Sequence, residues 1–523
     1  MSALSLILYR RPGCHLCDAA ERLVEAEARR LAEPVRLVAV DIESDPELLR
    51  RFLIEIPVLA DAAGHVRLRA PILRHDVRAL LASLADDAAA STCSIPLEVA
   101  TEMASESKTA PTATDLPRLS ARAAGIPGSP TVALDARAKA MLAAGEKVLN
   151  LAVGEPDLPP PAPALAAARE HLATATKYAP PTGRPELRRA VALAAERDQG
   201  VPTRPDMVLV GVGAKQVLYS LFHVLFDPGD RVLVPSPYWV SYPDQLALAA
   251  VEPVIVPTRE EDGWRLRAES VAGRIDERTR GIVLNSPNNP TGAVIARDDL
   301  RAILELCERH DLWLVSDEIY GVLTYDGQSA AGARTVAKEA GVDQRRVVVV
   351  DGASKKFAMT GFRVGWAIAP PDVVEAGARL QSQITSSAAS PSQLAVEAAL
   401  QDDGGSVAAM RATYEARRNR FVAGLNHLGL TTKVPDGAFY AWSSAAPLIG
   451  REIAGVPCYS SAQVAARLLE SARIACVPGE AFGVPGYLRM SFANPQAVLD
   501  EALDRLAEIL AGSARAGANT ARS

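Results

Sequence analysis

The sequence predicts an α/β protein in two unequal parts, and three observations carry that expectation. About 85 residues at the start run strand, helix, strand, helix, strand, strand, helix and then close on a natural domain end. Residues 87–115 change texture, becoming rich in Ala, Ser and Thr without a sustained apolar stripe. From about residue 116, continuous apolar runs alternate with amphipathic helices, the pattern of a mostly parallel sheet covered on both faces. The expected boundaries are 1–86 for the first domain, 87–115 for a flexible linker, 116–512 for the second domain and 513–523 for a disordered tail. Within the second, a large domain of about 166–407 holds the sheet, and 116–165 with 408–512 form a smaller α+β lobe.

The elements follow from pattern and punctuation. In the first domain "LSLILY" (4–9), "PVRLVAVDI", "IPVLAD" and "HVRLRA" read as strands. "CDAAERLVEAEARRL", "DPELLRRFL" and "DVRALLASLA" have helical periodicity. The stretch "DAAASTCSIPLEVATEMASESKTAPTATD" has a linker's composition. Met103 inside it could equally mark the old start of a once-separate chain, or the join of misread frames. Beyond it, "DMVLVGVG", "RVLVPS", "GIVLNS", "LWLVSDE" and "RVVVVDG" are buried-type strands, with helices such as "DDLRAILELCERH" between them. "EARRNRFVAGLNHLG", "GAFYAWSS" and "YLRMSFA" supply the smaller lobe.

Bulk properties exclude several classes. With 523 residues, 49% apolar and 23% charged, there is material for large cores. A net charge of -6 argues against a nucleic-acid partner, which needs a basic patch. No run approaches the roughly 20 apolar residues of a membrane span. "MSALSLILYRRPGC" lacks a signal peptide's apolar core and cleavage site. Six cysteines are too few for a disulfide framework, and Cys93, Cys307, Cys458 and Cys476 show no paired spacing. The expectation is a cytoplasmic protein.

Polar residues collect where the strands end, which is where open α/β sheets place ligands. "VLNSPNNPTG" puts Asn289 past one strand, "LVSDEIYG" puts Asp317 and Tyr320 past the next, and "VVVVDGASKK" carries Lys355 and Lys356 past a third. "VGVGAKQVLYSL" is a glycine turn feeding a helix, so amides near Gly213, Ala214 and Lys215 could cradle an anion. A cofactor with a phosphate, an aldehyde and a ring nitrogen would need this set.

In combination these motifs resemble the fold-type I, class I pyridoxal-phosphate aminotransferases. "NLAVGEPDL", "KYAPPTGRPELRRA", "VPSPYWVSYP", "SPNNPTG", "SDEIY" and "SKKFAMTGFRVG" resemble the prokaryotic aspartate-aminotransferase-like subgroup over about 118–511. The resemblance implies that Lys355 forms the Schiff base with the cofactor, pyridoxal 5′-phosphate, and shuttles the substrate's proton. It implies that Asp317 pairs with the ring nitrogen, that Tyr320 and Asn289 bond the ring's phenolic oxygen, and that Trp239 stacks on the ring. Ser354 joins the cofactor contacts. Arg363 with Gly213, Ala214 and Lys215 would neutralise the phosphate, with Tyr178 reaching the phosphate of a second subunit in a homodimer. Arg489 would hold the substrate's α-carboxylate as a bidentate fork, with Gly154 beside it, and Trp239 and Asn289 would also border the substrate. The family places its Schiff-base lysine eight positions before the phosphate arginine, which selects Lys355 over Lys356. Lys356 is expected to face outward or toward the linker side of the strand end.

"ILYRRPGCHLCDAAERLV", with "IPVL" some forty residues on, resembles the glutaredoxin and thioredoxin-like fold. That implies Cys14 as the attacking thiolate at a helix N-terminus, Cys17 as the resolving thiol and a cis bond before Pro57. The central "HL" departs from the "PY" of active glutaredoxins. Half of a zinc site and an inert relic of a redox fold are the other readings; no second cysteine pair follows at finger spacing, so no metal is expected. Glutathione or a protein thiol is the expected partner of this domain.

The whole resemblance implies transamination between an L-amino acid, aspartate by default, and a 2-oxo acid such as 2-oxoglutarate. Pro127 stands near the place where close aspartate-handling relatives carry a lysine, so an aromatic or secondary-metabolite amino acid is an alternative. A lyase or decarboxylase on the same fold is another. A cofactor-sensing regulator would instead carry a helix-turn-helix domain.

Overall fold

The computed structural model describes residues 4–10, 15–29, 35–42, 58–61, 66–69, 77, 80–81, 120, 128 and 130–515. The chain divides into two compact units, Met1–Pro127 and Gly128–Ser523. The expected linker, the helix read in "DPELLRRFL", Cys14, and Pro57 with its expected cis bond lie outside the described residues.

In the first unit, β1 (Leu4–Arg10), β2 (Val35–Asp41), β3 (Val58–Asp61) and β4 (Val66–Arg69) form one sheet in the order β2-β1-β3-β4. β1 runs parallel to β2 and antiparallel to β3. Leu6 and Leu8 alternate toward the core, where they meet Leu59 and the Ala20 and Val24 face of the helix His15–Ala28. Cys17, near the start of that helix, is buried and disulfide-bonded.

In the second unit, β5 is Leu149–Asn150, β6 Val208–Gly211, β7 Arg231–Ser236, β8 Glu252–Pro257, β9 Thr279–Asn285, β10 Trp313–Asp317, β11 Val347–Gly352 and β12 Gly365–Ile368. Seven of these form a sheet in the order β6-β12-β11-β10-β9-β7-β8, parallel throughout the β11-β10-β9-β7-β8 run. β12 is antiparallel to both its neighbours. The central strands are buried on both faces. Val283, Val315, Val348 and Val350 pack to one side, while Ile282, Leu284, Leu314, Val347 and Val349 pack to the other. The sequence reading did not name β8 or β12. β8 is a half-exposed edge strand bearing Pro253 and Pro257, and β12 is only four residues long.

The smaller lobe contains β13 (Tyr440–Ser444), β14 (Arg451–Ile453), β15 (Val456–Cys458), β16 (Ile474–Ala475), β17 (Val477–Pro478), β18 (Tyr487–Ser491) and β19 (Ala514–Arg515). β13, β18 and β17 make an antiparallel sheet. β16 pairs in parallel with β5, Ile474 opposite Leu149, which ties the segment before "GEP" to this lobe. The lobe's core joins Leu149 and Leu151 to Phe439, Tyr440 and Leu488. β19 pairs with β14, so residues 514–515 are ordered where a disordered tail was expected. Cys307, Cys458 and Cys476 are free and buried. Among the described residues, no helix is long and apolar enough to cross a membrane.

Candidate active site

The carboxyl ends of β9, β10 and β11 open into a cavity of about 600 Å³ that also meets the smaller lobe. Of the sequence-expected residues, Gly154, Ala214, Lys215, Trp239, Asn289, Asp317, Tyr320, Ser354, Lys355, Arg363 and Arg489 all line it. Gly213 sits directly behind Arg363. Tyr178 is not brought in: its side chain is 92% exposed. Cys17 belongs to the other unit.

Asp317 ends β10 with its carboxylate buried. Tyr242 donates its hydroxyl to Oδ2 at 2.6 Å, and the Ile319 amide donates to Oδ1 at 3.2 Å. Burial raises the carboxyl's pKa to about 6, with the charge of Asp351 acting the same way; the Tyr242 and Ile319 hydrogen bonds and Lys355 oppose the rise. Asn285, at the end of β9, donates to the Asp317 carbonyl at 3.0 Å and accepts the Asn289 amide at 2.8 Å. Together these bonds fix the floor of the cavity.

Lys355 lies in the short helix that follows β11, and its ammonium donates to the Gly154 carbonyl. A Cβ on Gly154 would fall 2.6 Å from the Tyr440 hydroxyl, so that backbone can come this close only as glycine. Burial lowers the Lys355 pKa to about 8, assisted by Arg363, Arg489 and Lys215 against the upward pull of Glu155. An amine with this pKa is partly neutral, hence nucleophilic, near neutral pH. The Tyr320 and Tyr440 hydroxyls are 2.8 Å apart.

One end of the cavity is built by the helix Gly213–Leu225. Gly213 has φ +78°, and a Cβ there would lie 2.7 Å from an Arg363 guanidinium nitrogen. Arg363 donates to the Thr360 carbonyl at 2.8 Å. Lys215 holds its ammonium 4.9 Å from the Trp239 ring centroid, and burial, then Arg363, lower its pKa. At the other end Arg489 donates to Asn289 Oδ1 at 3.2 Å and to the Ala152 carbonyl, between the rings of Tyr440 and Phe482. Its Nε is buried with no hydrogen-bond partner. Among the described residues none of Lys215, Lys355, Arg363 and Arg489 has an ion-pair partner. A small, strongly anionic ligand fits these cations, and the amine, carboxylate and phenols fit a phosphorylated pyridine aldehyde.

Tyr242, Asn285, Tyr440, Phe482 and Glu155 were missed in the sequence reading. Tyr242 opens the helix just after Trp239 and Asn285 ends β9 four residues before Asn289, and neither position carries a periodicity that marks it as a site residue. Tyr440 read only as part of a strand. Lys356 is a correction. It does not face outward: its ammonium pairs with Asp351 at 2.7 Å, and the two side chains are 14% and 13% exposed. The next residue after Lys355 on a helical turn points away from the cavity, and here that direction leads into the protein.

A family profile described as aminotransferase class I and II matches residues 146–506. The chain belongs to the class I and II aminotransferases. A second profile, glutaredoxin-like domain, matches residues 5–82, so this aminotransferase carries a glutaredoxin-like domain at its N-terminal side. It is similar to the aspartate aminotransferase of Streptomyces avermitilis, 40% identical over 396 residues that make up 75% of this chain and 96% of the relative. It is 41% identical to the aspartate/prephenate aminotransferase of Thermus thermophilus, over 75% of this chain and 98% of that one. Among solved structures, the Thermus thermophilus aspartate aminotransferase with maleate matches at TM-score 0.70 and 40% identity, covering 75% of this chain and all of that one. The aspartate aminotransferase of Rhizobium meliloti matches at TM-score 0.72 and 37% identity, covering 76% of this chain and all of that one. The aminotransferase thus has the fold-type I architecture, and its family is pyridoxal-phosphate-dependent.

Proposed function

We propose that the cavity binds pyridoxal 5′-phosphate and serves to transfer an amino group between an L-amino acid, aspartate by default, and a 2-oxo acid such as 2-oxoglutarate. The observation that carries this reading is the convergence of Lys355, Asp317 and Arg489 on one cavity. Bound there, the cofactor supplies an aldehyde that exchanges amines and a ring that withdraws electrons from the substrate's α-carbon. Asp317 would hold a proton on the ring nitrogen, and Tyr320 and Asn289 would orient the ring through its phenolic oxygen. Arg363, Lys215 and the amides near Gly213 and Ala214 would hold the phosphate, with Ser354 beside them and Trp239 over the ring. Arg489 would grip the substrate's α-carboxylate, the free Nε adding to its binding capacity. Lys355 would take the proton from the substrate's α-carbon and deliver it to the carbon that carries the cofactor's aldehyde.

The aspartate assignment is supported by the relatives named for aspartate and aspartate/prephenate. The exposed Tyr178 supports a homodimer in which it serves the partner's phosphate. The division at 1–86, 87–115 and 116–512, with a large domain of about 166–407, completes the reading, together with a cytoplasmic location. In the glutaredoxin-like domain, Cys14 and Cys17 would exchange with glutathione or a protein thiol, and the disulfide at Cys17 supports this.

A panel of amino donors with 2-oxoglutarate tests the main reading. The expected result is the highest kcat/KM for aspartate. Release of ammonia or CO2 without any 2-oxo acid would favour a lyase or decarboxylase.

A further inference from the structure

Beyond the strand ends, sequence neighbours face opposite sides. Asp317 on β10 is opposite Val350 on β11, and it lines the active cavity with Lys355. Glu318, Asp351 and Lys356, each one residue further along, line a separate cavity of about 340 Å³ behind the strand ends. There Lys356 Nζ meets Asp351 Oδ2 at 2.7 Å, and Asp351 Oδ1 accepts the Gly352 amide at 2.7 Å. Glu318 is held by neutral donors: the Ser316 hydroxyl at 3.0 Å, the Ala333 amide at 2.9 Å and the Gln199 side-chain amide at 3.1 Å.

Three carboxylates therefore crowd the ends of two adjacent strands in the interior, where like charges oppose one another's ionisation. Lys355 is committed to the front cavity. On the back side Arg297 also lines the cavity and Arg334 acts on Glu318, but Lys356 is the cation paired with Asp351; it stays charged, because Asp351, with Asp198 and Glu318, more than offsets the effect of burial. Asp317 is faced in front by Tyr242, Lys355 and Tyr320, and behind by Asp351.

We propose that Lys356 is a positioning residue for the cofactor site, neutralising Asp351 so that Asp317 stays ionised opposite the ring nitrogen. This rests on the reading of Asp317 as the partner of that nitrogen. It gives the second lysine of "SKK" a role the first cannot fill.

The test uses the full-length apo-protein, pyridoxal 5′-phosphate and equilibrium dialysis across pH, comparing wild type with Lys356→Met, Asp351→Asn, the double variant and Asp317→Asn. The ligand's own titrations are common to all, so differences between variants read the protein. Lys356→Met leaves Asp351 uncompensated, and the pH below which affinity falls should rise by about one unit, a roughly tenfold loss at a fixed pH on that slope. Asp351→Asn leaves Lys356 unopposed, so the midpoint should fall. The double variant should return close to wild type. Opposite shifts with mutual rescue are not what a merely structural pair would give. Two single variants moving the same way, or neither moving, would overturn the inference. Should Lys356→Met fail to fold by circular dichroism, Asp351→Asn and the neutral double variant decide: a fall with rescue supports it, and anything else overturns it. Asp317→Asn separates the two layers. If it binds like wild type at every pH, the ring-nitrogen reading itself fails; if it loses affinity while the other variants do not oppose each other, only the role of Lys356 fails.

Discussion

The two cavities on either side of the strand ends are lined by sequence neighbours yet differ in how charge is treated. Behind the strands, Lys356 and Asp351 neutralise each other at 2.7 Å, and Glu318 is satisfied by neutral donors. In front, Lys215, Lys355, Arg363 and Arg489 converge without ion-pair partners among the described residues, and the Arg489 Nε has no acceptor. Arg489 is buried and Lys355 half-buried, while Lys215 and Arg363 reach solvent at the cavity mouth; keeping a buried cation unpaired is costly, which fits a cavity that receives an anion. The back is arranged for a fixed field and the front for a ligand.

The largest effect should separate the two lysines. Lys355→Ala should lower transamination by about a thousandfold or more, since it removes the amine proposed to act on the substrate. Lys356→Ala should cost about tenfold, acting only through Asp317. Steady-state kinetics with aspartate and 2-oxoglutarate check both, and equal losses would break the comparison.

Next in size is Arg489→Lys, which keeps the charge but loses the planar fork. A drop of roughly a hundredfold in kcat/KM is expected for the amino donor, with cofactor affinity nearly unchanged. A parallel loss of cofactor affinity would place Arg489 at the wrong end of the cavity.

Smaller again is Tyr242→Phe. Its hydroxyl bonds the Asp317 carboxylate at 2.6 Å, so its loss should weaken pyridoxal 5′-phosphate binding by about tenfold. The same bond lowers the Asp317 pKa, and its removal should move the pH midpoint of binding upward. Equilibrium dialysis reads both changes.

The mildest test is chemical. In the apo-protein an amine-acylating reagent should modify Lys355 with a rate that rises through a pH of about 8, because burial lowers its pKa to that value. Lys356, ion-paired and with a raised pKa, should stay unlabelled over the same range. Peptide mass mapping after each pH pulse separates the neighbours.

Much of the front cavity was legible because its chemistry is written at strand ends in short motifs. Asn289, Asp317, Tyr320 and Lys355 each follow an apolar run, the glycine turn before Lys215 opens a helix, and the structure brings all five residues to one cavity. Tyr242, Asn285 and Tyr440 line the cavity but were less legible, because a phenol within an apolar stretch reads as core and an asparagine ending a strand reads as a turn residue. Lys356 was misplaced for a related reason. Helical alternation turns it away from the cavity, but only the three-dimensional position of Asp351 reveals that the back of the strand ends is interior and not solvent. β8 and β12 escaped because an edge strand need not be apolar and a four-residue strand has too little pattern to detect.

The most direct measurement is reductive trapping. The full-length protein is incubated with pyridoxal 5′-phosphate, reduced with borohydride, digested and mapped by mass spectrometry. The expected result is a single pyridoxyl modification on Lys355; a modification on Lys356, or none on either lysine, would contradict the assignment of the active site.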